Sequence, residues 1–111
     1  MDFIVSKSNG TAVVKTSVEK LNASNSSGLK AELVVLEKGG VNNIVIDMTA
    51  TKYCDSSGLS ALLVANRMCK DTNGKFVLCG LLPGVRKLIE IAQLDKVLTI
   101  TLGQEEALAK I

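Results

Sequence analysis

Apolar and polar positions along the chain switch between a period of two and a period of three to four. From residue 3 the chain runs FIV, breaks at SKSNG, and resumes as TAVVKT over 11–16. Both runs are short and β-prone, and Asn9-Gly10 tolerates positive φ at both positions, so the pattern predicts a hairpin. After LNASNSSGLK the period changes: Leu29, Leu33 and Leu36 recur at spacings of four and three, one face of a helix. Asn22, Ser24 and Asn25 are its candidate N-caps, with a start expected near Ser24, and Gly39-Gly40 is its stop. NNIVIDM, at 42–48, is almost continuously apolar, as in a strand covered on both faces within a parallel sheet.

Helical signals return from about Ser57 to Lys70, with Leu59, Leu62, Leu63 and Cys69 expected inward and Asn66 and Arg67 at the boundary. DTNGK turns the chain into FVLCG, a fourth strand. Pro83 fits the first turn of a short third helix, where its missing N–H costs nothing, and Val85, Leu88 and Ile89 give that helix an inward face. KVLTI, at 96–100, reads as the last strand and GQEEALAKI as a terminal helix. Glu105 and Glu106 stand at the positive end of that helix and Lys110 at its negative end. The predicted fold class is α/β: one domain over residues 1–111, a mixed sheet of about five strands with a parallel core, and about four helices.

Composition narrows the function classes. At 111 residues and 47% hydrophobic, the chain is large enough to bury a core without disulfides or a metal. Lysine and arginine number 13 against 11 acidic residues, a net +2, and the charges are interspersed, as in Glu19-Lys20 and Glu37-Lys38. No basic stripe forms, so direct nucleic-acid binding is not expected. Cys54, Cys69 and Cys79 contain no CxxC pair and histidine is absent, which argues against a zinc site. All three sit in apolar surroundings, as reduced core cysteines of a cytoplasmic protein do. MDFIVSKSNG lacks the basic start and apolar region of a signal peptide, and no run approaches 18 apolar residues, so no membrane insertion is expected.

The stretch YCDSSGLSALLVANRM, residues 53–68, carries the candidate chemistry. It follows the apolar strand ending at Asp47-Met48, which places it at the carboxyl edge of a parallel sheet, where functional sites cluster. Asp55, Ser56 or Ser57 can cap the following helix, and Gly58 permits close backbone approach. One cap explains one polar residue and leaves the others unexplained. A serine nucleophile needs an activating base, and the usual one, histidine, is missing, while composition leaves a Ser-Lys pair open. CDSSG is not the G-x-S-x-G elbow, and neither the phosphate-binding G-x-x-x-x-G-K-[ST] nor the dinucleotide G-x-G-x-x-G occurs. The residues therefore read as a module acted upon by another protein, with no cofactor of its own and no enzymatic activity.

IVIDM, DSSGL at 55–59, GKFVLCG and PGVRKLIEIAQLDKVLTI, in that order, resemble the central and C-terminal part of a bacterial anti-sigma factor antagonist, a stand-alone STAS domain. The resemblance is firm from about Ile44 onward. It implies a partner that is an anti-sigma factor and also a serine kinase of the GHKL ATPase class, with a PP2C-type phosphatase as antagonist of that kinase. Unphosphorylated, such a domain holds the kinase and releases its sigma factor to RNA polymerase. The kinase modifies the second serine of DSSG, which is Ser57 here, with Asp55, Ser56 and Gly58 as its motif neighbours. Nucleotide and Mg²⁺ belong to the kinase.

One departure stands out. Many antagonists carry G-E-L-D after the second strand, where this chain has VEKLNAS over 18–24. Leu21 and Asn22 match the Leu and Asp, and Glu19 is displaced by one extra residue. Asn22 either keeps a partner-facing polar group with one charge fewer or serves as a cap or turn residue. Thr49 and Thr51 flank the same end of the sheet, and Tyr53 stands either at a site rim or packed on the next helix with its hydroxyl wet. Two other functions remain open on sequence: a STAS subunit of a lipid-transport ABC system or of a stressosome-like complex, and a small-molecule sensor, for which no ligand motif speaks.

Overall fold

The computed structural model describes residues 2–111. Its first two strands, β1 (Phe3–Ser8) and β2 (Thr11–Thr16), pair antiparallel with Ser8 opposite Thr11. Asn9 and Gly10 take φ of +50° and +78°, the twisted two-residue turn that Asn-Gly favours. The chain then forms a two-residue strand β3 (Lys20–Leu21), helix α1 (Ser26–Lys38), β4 (Asn43–Asp47), a second two-residue strand β5 (Tyr53–Cys54) and α2 (Ser56–Asp71). β6 (Phe76–Cys79), α3 (Pro83–Ile91), a 3₁₀ turn at Leu94–Lys96, β7 (Thr99–Thr101) and α4 (Gln104–Ala109) complete it.

The main sheet has the order β1-β2-β4-β6-β7, antiparallel only between β1 and β2. The mixed five-stranded sheet with parallel core and four helices matches the α/β expectation. β4 and β6 are central and apolar throughout their inner positions, as strands covered on both faces must be. One face carries the large core, in which Leu29, Leu33, Ile44, Ile46, Leu62, Leu78 and Ile89 are inaccessible to solvent. The other carries a small cluster of Val45, Val77 and Cys79 under Ala107 of α4, with Val13 and Ile111 at its margin. The two faces thus differ in depth of cover, and the Ser-rich junction belongs to the thick side.

Several boundaries differ from the sequence expectation for local reasons. α1 starts at Ser26 and not near Ser24, because Asn22 folds the chain into a turn. Its Oδ1 accepts the Ser24 N–H at 3.0 Å and the Ser24 hydroxyl at 2.7 Å. Asn25, the N-cap position, spends its side chain backwards on the Lys20 carbonyl and the Asn22 N–H. On α2 the inward face is Gly58, Ala61, Leu62, Ala65, Met68 and Cys69, while Leu63 is exposed. The small residues let the helix approach the sheet closely, and Leu63 lies one residue, about 100°, beyond Leu62. Leu88 of α3 is half-buried beside Val85 and Ile89. The last strand begins at Thr99 because Gln93, in the left-handed region at φ +60°, starts a 3₁₀ turn whose Leu94 carbonyl accepts from both Val97 and Leu98.

Candidate functional site

Three crossings meet beside the carboxyl ends of β2, β4 and β6, and backbone bonds between them fix their relative position. The Glu19 carbonyl accepts the Lys52 N–H at 2.8 Å and the Tyr53 N–H at 3.1 Å, and the Leu21 carbonyl accepts the Asp55 N–H at 3.2 Å. This parallel β3–β5 ribbon joins the first crossing to the second. Thr51 pins the same loop from below. Its hydroxyl donates to the Val18 carbonyl at 2.7 Å and lies 2.7 Å from the Thr16 hydroxyl, with both threonines inaccessible to solvent. Thr51 is therefore an internal brace and not a surface residue. Gly84, in the first turn of α3, packs against the Lys52 carbonyl, and a Cβ there would stand 2.9 Å from it.

On this base α2 begins. Asp55 is its N-cap: extended backbone, with Oδ1 accepting the Gly58 N–H at 3.0 Å. Of the three cap candidates in DSS, the carboxylate takes the position, and the two serines fall in the first turn, free of capping duty. Ser56 is exposed and opens on the outer side of α2 with Leu59, Ser60, Leu63 and Val64, in a 340 Å³ depression. Ser57 is half-buried beside it. Gly58 is buried, and a Cβ on it would meet the Cys54 Sγ at 2.5 Å and the Leu21 carbonyl at 2.6 Å, so the helix start lies directly on the ribbon.

On the other side of Asp55 a cavity of about 470 Å³ is lined by Glu19, Lys20, Leu21, Asn22, Tyr53, Cys54 and Asp55. Here Asn22 and Tyr53 join the DSSG element. The Tyr53 ring is 55% exposed, and Lys20 Nζ lies 5.8 Å from its centroid, within reach of a weak cation–π attraction. Tyr53 thus stands at the rim, and Asn22 builds a turn whose side chain faces the same opening. Lys20 and Glu19 belong to this cavity too. Glu19 shows in the sequence only as a displaced motif residue and Lys20 not as a site residue at all, because the ribbon that aims them has only two residues per strand, too few for a periodic signal.

Thr49 stands apart from that cavity. Its N–H and hydroxyl both donate to Asp47 Oδ1, at 2.9 and 2.8 Å, and Asp47 Oδ2 accepts from Gln104 Nε2 at 2.6 Å. Asp47 is buried. Burial alone would raise its pKa; the Thr49 N–H, the Gln104 amide, the Thr49 hydroxyl and nearby Lys15 together outweigh that and hold it below the ordinary 3.8. Burial raises the thiols of Cys54, Cys69 and Cys79 to about 11, with Asp55 adding to the effect at Cys54 and Asp47 at Cys79. Cys69 and Cys79 are core residues as expected, while Cys54 is only half-buried. Among the described residues no cluster of three or more His, Cys, Asp or Glu is placed to hold a metal ion. None of their helices is long and apolar enough to cross a membrane.

The chain matches the STAS domain family over residues 3–107. It is 30% identical over 89 residues, 80% of this chain and 77% of the relative, to BtrV of Bordetella bronchiseptica, described as an anti-sigma factor antagonist. Its fold superposes with TM-score 0.86 on an anti-sigma factor antagonist of Thermotoga maritima, 21% identical, covering 98% of this chain and 93% of that one. It superposes with TM-score 0.76 on the phosphorylated form of the Bacillus cell fate determinant SpoIIAA, 21% identical and covering 97% of each chain. The fold, the motif order and the match along nearly the whole chain agree: this protein belongs to the STAS domain family.

Proposed function

We propose that this protein is an anti-sigma factor antagonist whose partner is a GHKL-class serine kinase, that Ser57 is the serine this kinase phosphorylates, and that a PP2C-type phosphatase reverses the step. The observation that carries the reading is the division of labour in DSSG: Asp55 caps α2, so Ser57 is left without a capping role in the helix's first turn. Similarity to a protein described as an anti-sigma factor antagonist supports the class of partner, and the likeness in fold to a phosphorylated relative supports the switch. The chain has no histidine to act as a base; in this reading the kinase brings nucleotide and Mg²⁺. Asn22, Tyr53, Asp55 and Ser56 form the surface around the serine, Gly58 lies buried beneath it and seats the helix start on Leu21, and Thr49 lies on the adjoining loop. The domain acts by binding, in the cytoplasm, and not as an enzyme.

A phosphate on Ser57 brings about −1.5 to −2 charge and three acceptor oxygens. At the second position of a helix that charge meets the positive end of the dipole, so the fold tolerates it. Against a closely packed partner it meets desolvation and repulsion from Asp55. A loss of about 3 kcal/mol at that interface weakens binding roughly 150-fold. The test is incubation with the cognate kinase and ATP: one phosphate, located on Ser57 by peptide mass spectrometry, abolished by Ser57→Ala, with weaker kinase binding after modification. Phosphate on Ser56 alone refutes the residue assignment. Equal affinity of both forms refutes the release mechanism.

A further inference from the structure

The Asp47 carboxylate occupies a position that neither core packing nor the serine switch accounts for. It is a buried acid, 6% exposed, at the end of the central strand β4, on the thinly covered face of the sheet. Its side-chain hydrogen bonds go to Thr49 and Gln104 and not to the DSSG element. Its two oxygens instead join two distant segments: Oδ1 holds the Thr49 N–H and hydroxyl, and Oδ2 holds the amide of Gln104, the first residue of α4 and 57 residues beyond Asp47. A third segment closes the junction. Gly80, at φ +69°, lets the β6–α3 turn pass so close to Thr49 that a Cβ at residue 80 would clash with the Thr49 methyl.

We propose that Asp47 and Gln104 form a latch through which α4 sets the position of the exposed Thr49–Ala50 segment for partner recognition, making both of them positioning residues for the Ser57 site. The inference rests on the reading of Ser57 as the partner-facing, phosphorylated serine. Its reach is limited to that segment because the next anchor, Thr51, is fixed to Val18 and Thr16 without the Asp47 carboxylate. When Gln104 lets go, Oδ2 loses its protein partner and the carboxylate is drawn towards water, taking with it the acceptor that orders Thr49. Ser57 itself stays in place on the Asp55 cap and the Gly58 contact. The latch therefore governs how well the partner docks, and leaves the phosphorylated residue and its local geometry alone.

Two readouts on three proteins test this. In Gln104→Ala, whose altered side chain is largely exposed, the Thr49 amide should exchange with solvent faster than in wild type by NMR. With the cognate kinase and ATP, KM for the variant should rise about tenfold, the equivalent of ~1.4 kcal/mol of binding, at unchanged kcat and with phosphate still on Ser57. The double variant Asp47→Asn with Gln104→Glu keeps an oxygen for Thr49 and reverses the second bond. The introduced amide on β4 then donates to the introduced carboxylate on α4, so both readouts should be restored. Loss of a merely structural contact would not raise KM at unchanged kcat. Unchanged Thr49 exchange in Gln104→Ala, unchanged KM, or a double variant no better than Gln104→Ala each overturns the latch. If wild type takes no phosphate on Ser57, the functional reading fails by itself, and the Thr49 exchange with its rescue decides the latch alone.

Discussion

Gly58→Ala reads out how tightly the helix start is seated. Alanine is the better helix former by about 0.8–1 kcal/mol in a helix interior, so propensity alone predicts a gain. The site opposes it. A Cβ at residue 58 would stand 2.6 Å from the Leu21 carbonyl oxygen, 2.5 Å from the Cys54 Sγ and 3.1 Å from the Leu21 Cγ. The thiol can turn away, but the carbonyl is backbone and already accepts the Asp55 N–H at 3.2 Å. Relief therefore requires α2 to lift off the ribbon, straining that bond and the Asp55 cap, whose acceptor holds the N–H of residue 58 itself. Overpacking of this kind costs about 1–3 kcal/mol and a strained bond about 1 kcal/mol. After subtracting the propensity gain, the expected net loss is about 1–3 kcal/mol. In urea, with m of about 1–3 kcal/mol/M, the midpoint should fall by roughly 1 M at unchanged m. Cys54→Ala placed on top should recover only part of the loss, since the carbonyl contact persists. A Gly58→Ala protein as stable as wild type would refute the close seating of α2 on Leu21.

Other outcomes follow from the same geometry. Asp55→Ala should cost about 0.5–2 kcal/mol in a urea melt through loss of the Gly58 bond, while Ser57→Ala should stay within about 0.5 kcal/mol; the reverse order would make Ser57 the cap. Because Asp47 is held below 3.8 in the folded state, its stabilising contribution is complete above that pH and is lost as pH falls through its lowered value. The stability gap between wild type and Asp47→Asn should accordingly shrink on acidification below 3.8, as followed by denaturant melts at a series of pH values. With thiols raised to about 11, only about one in a thousand is ionised at pH 8, so iodoacetamide should label the folded protein far more slowly than the unfolded one.

Where the chain's periodicity is long and clean, the structure follows it. The Asn9-Gly10 hairpin, the strand over 43–47 and the Leu29, Leu33 and Leu36 face stand where their patterns put them. Errors gather where side chains compete with the backbone or where space decides the face. Asn22 draws residues 22–25 into a turn, which shifts α1, and Ala61 and Ala65 face the sheet in place of Leu63 because close approach favours small residues. The DSSG element is legible as a strand-to-helix junction, yet its spacing does not say which of three polar residues caps. The β3–β5 ribbon is invisible to any window, being held together by main-chain bonds between residues more than thirty apart in sequence. Asp47 did leave a trace, a carboxylate ending an otherwise apolar strand, but its partner Gln104 lies 57 residues away.

Under the proposal that Ser57 is phosphorylated, these anchors would let the added charge act outward without reorganising the domain. The α2 start is held from two independent sides, by its own cap and by direct contact of Gly58 with the Leu21 backbone. Below it, the loop is fixed by Thr51 and by the Glu19 carbonyl, neither of which involves the Ser57 side chain. A phosphate there would leave the Asp55 cap in place and meet a helix end that favours negative charge. Asp55 cannot readily swing away to relieve the added repulsion, since moving it opens the cap. In that proposal a partner seated over the start of α2 would meet the combined charge of the phosphate and Asp55. Such rigidity is what a binding switch requires: strain that the domain absorbed internally would leave its partner's affinity unchanged.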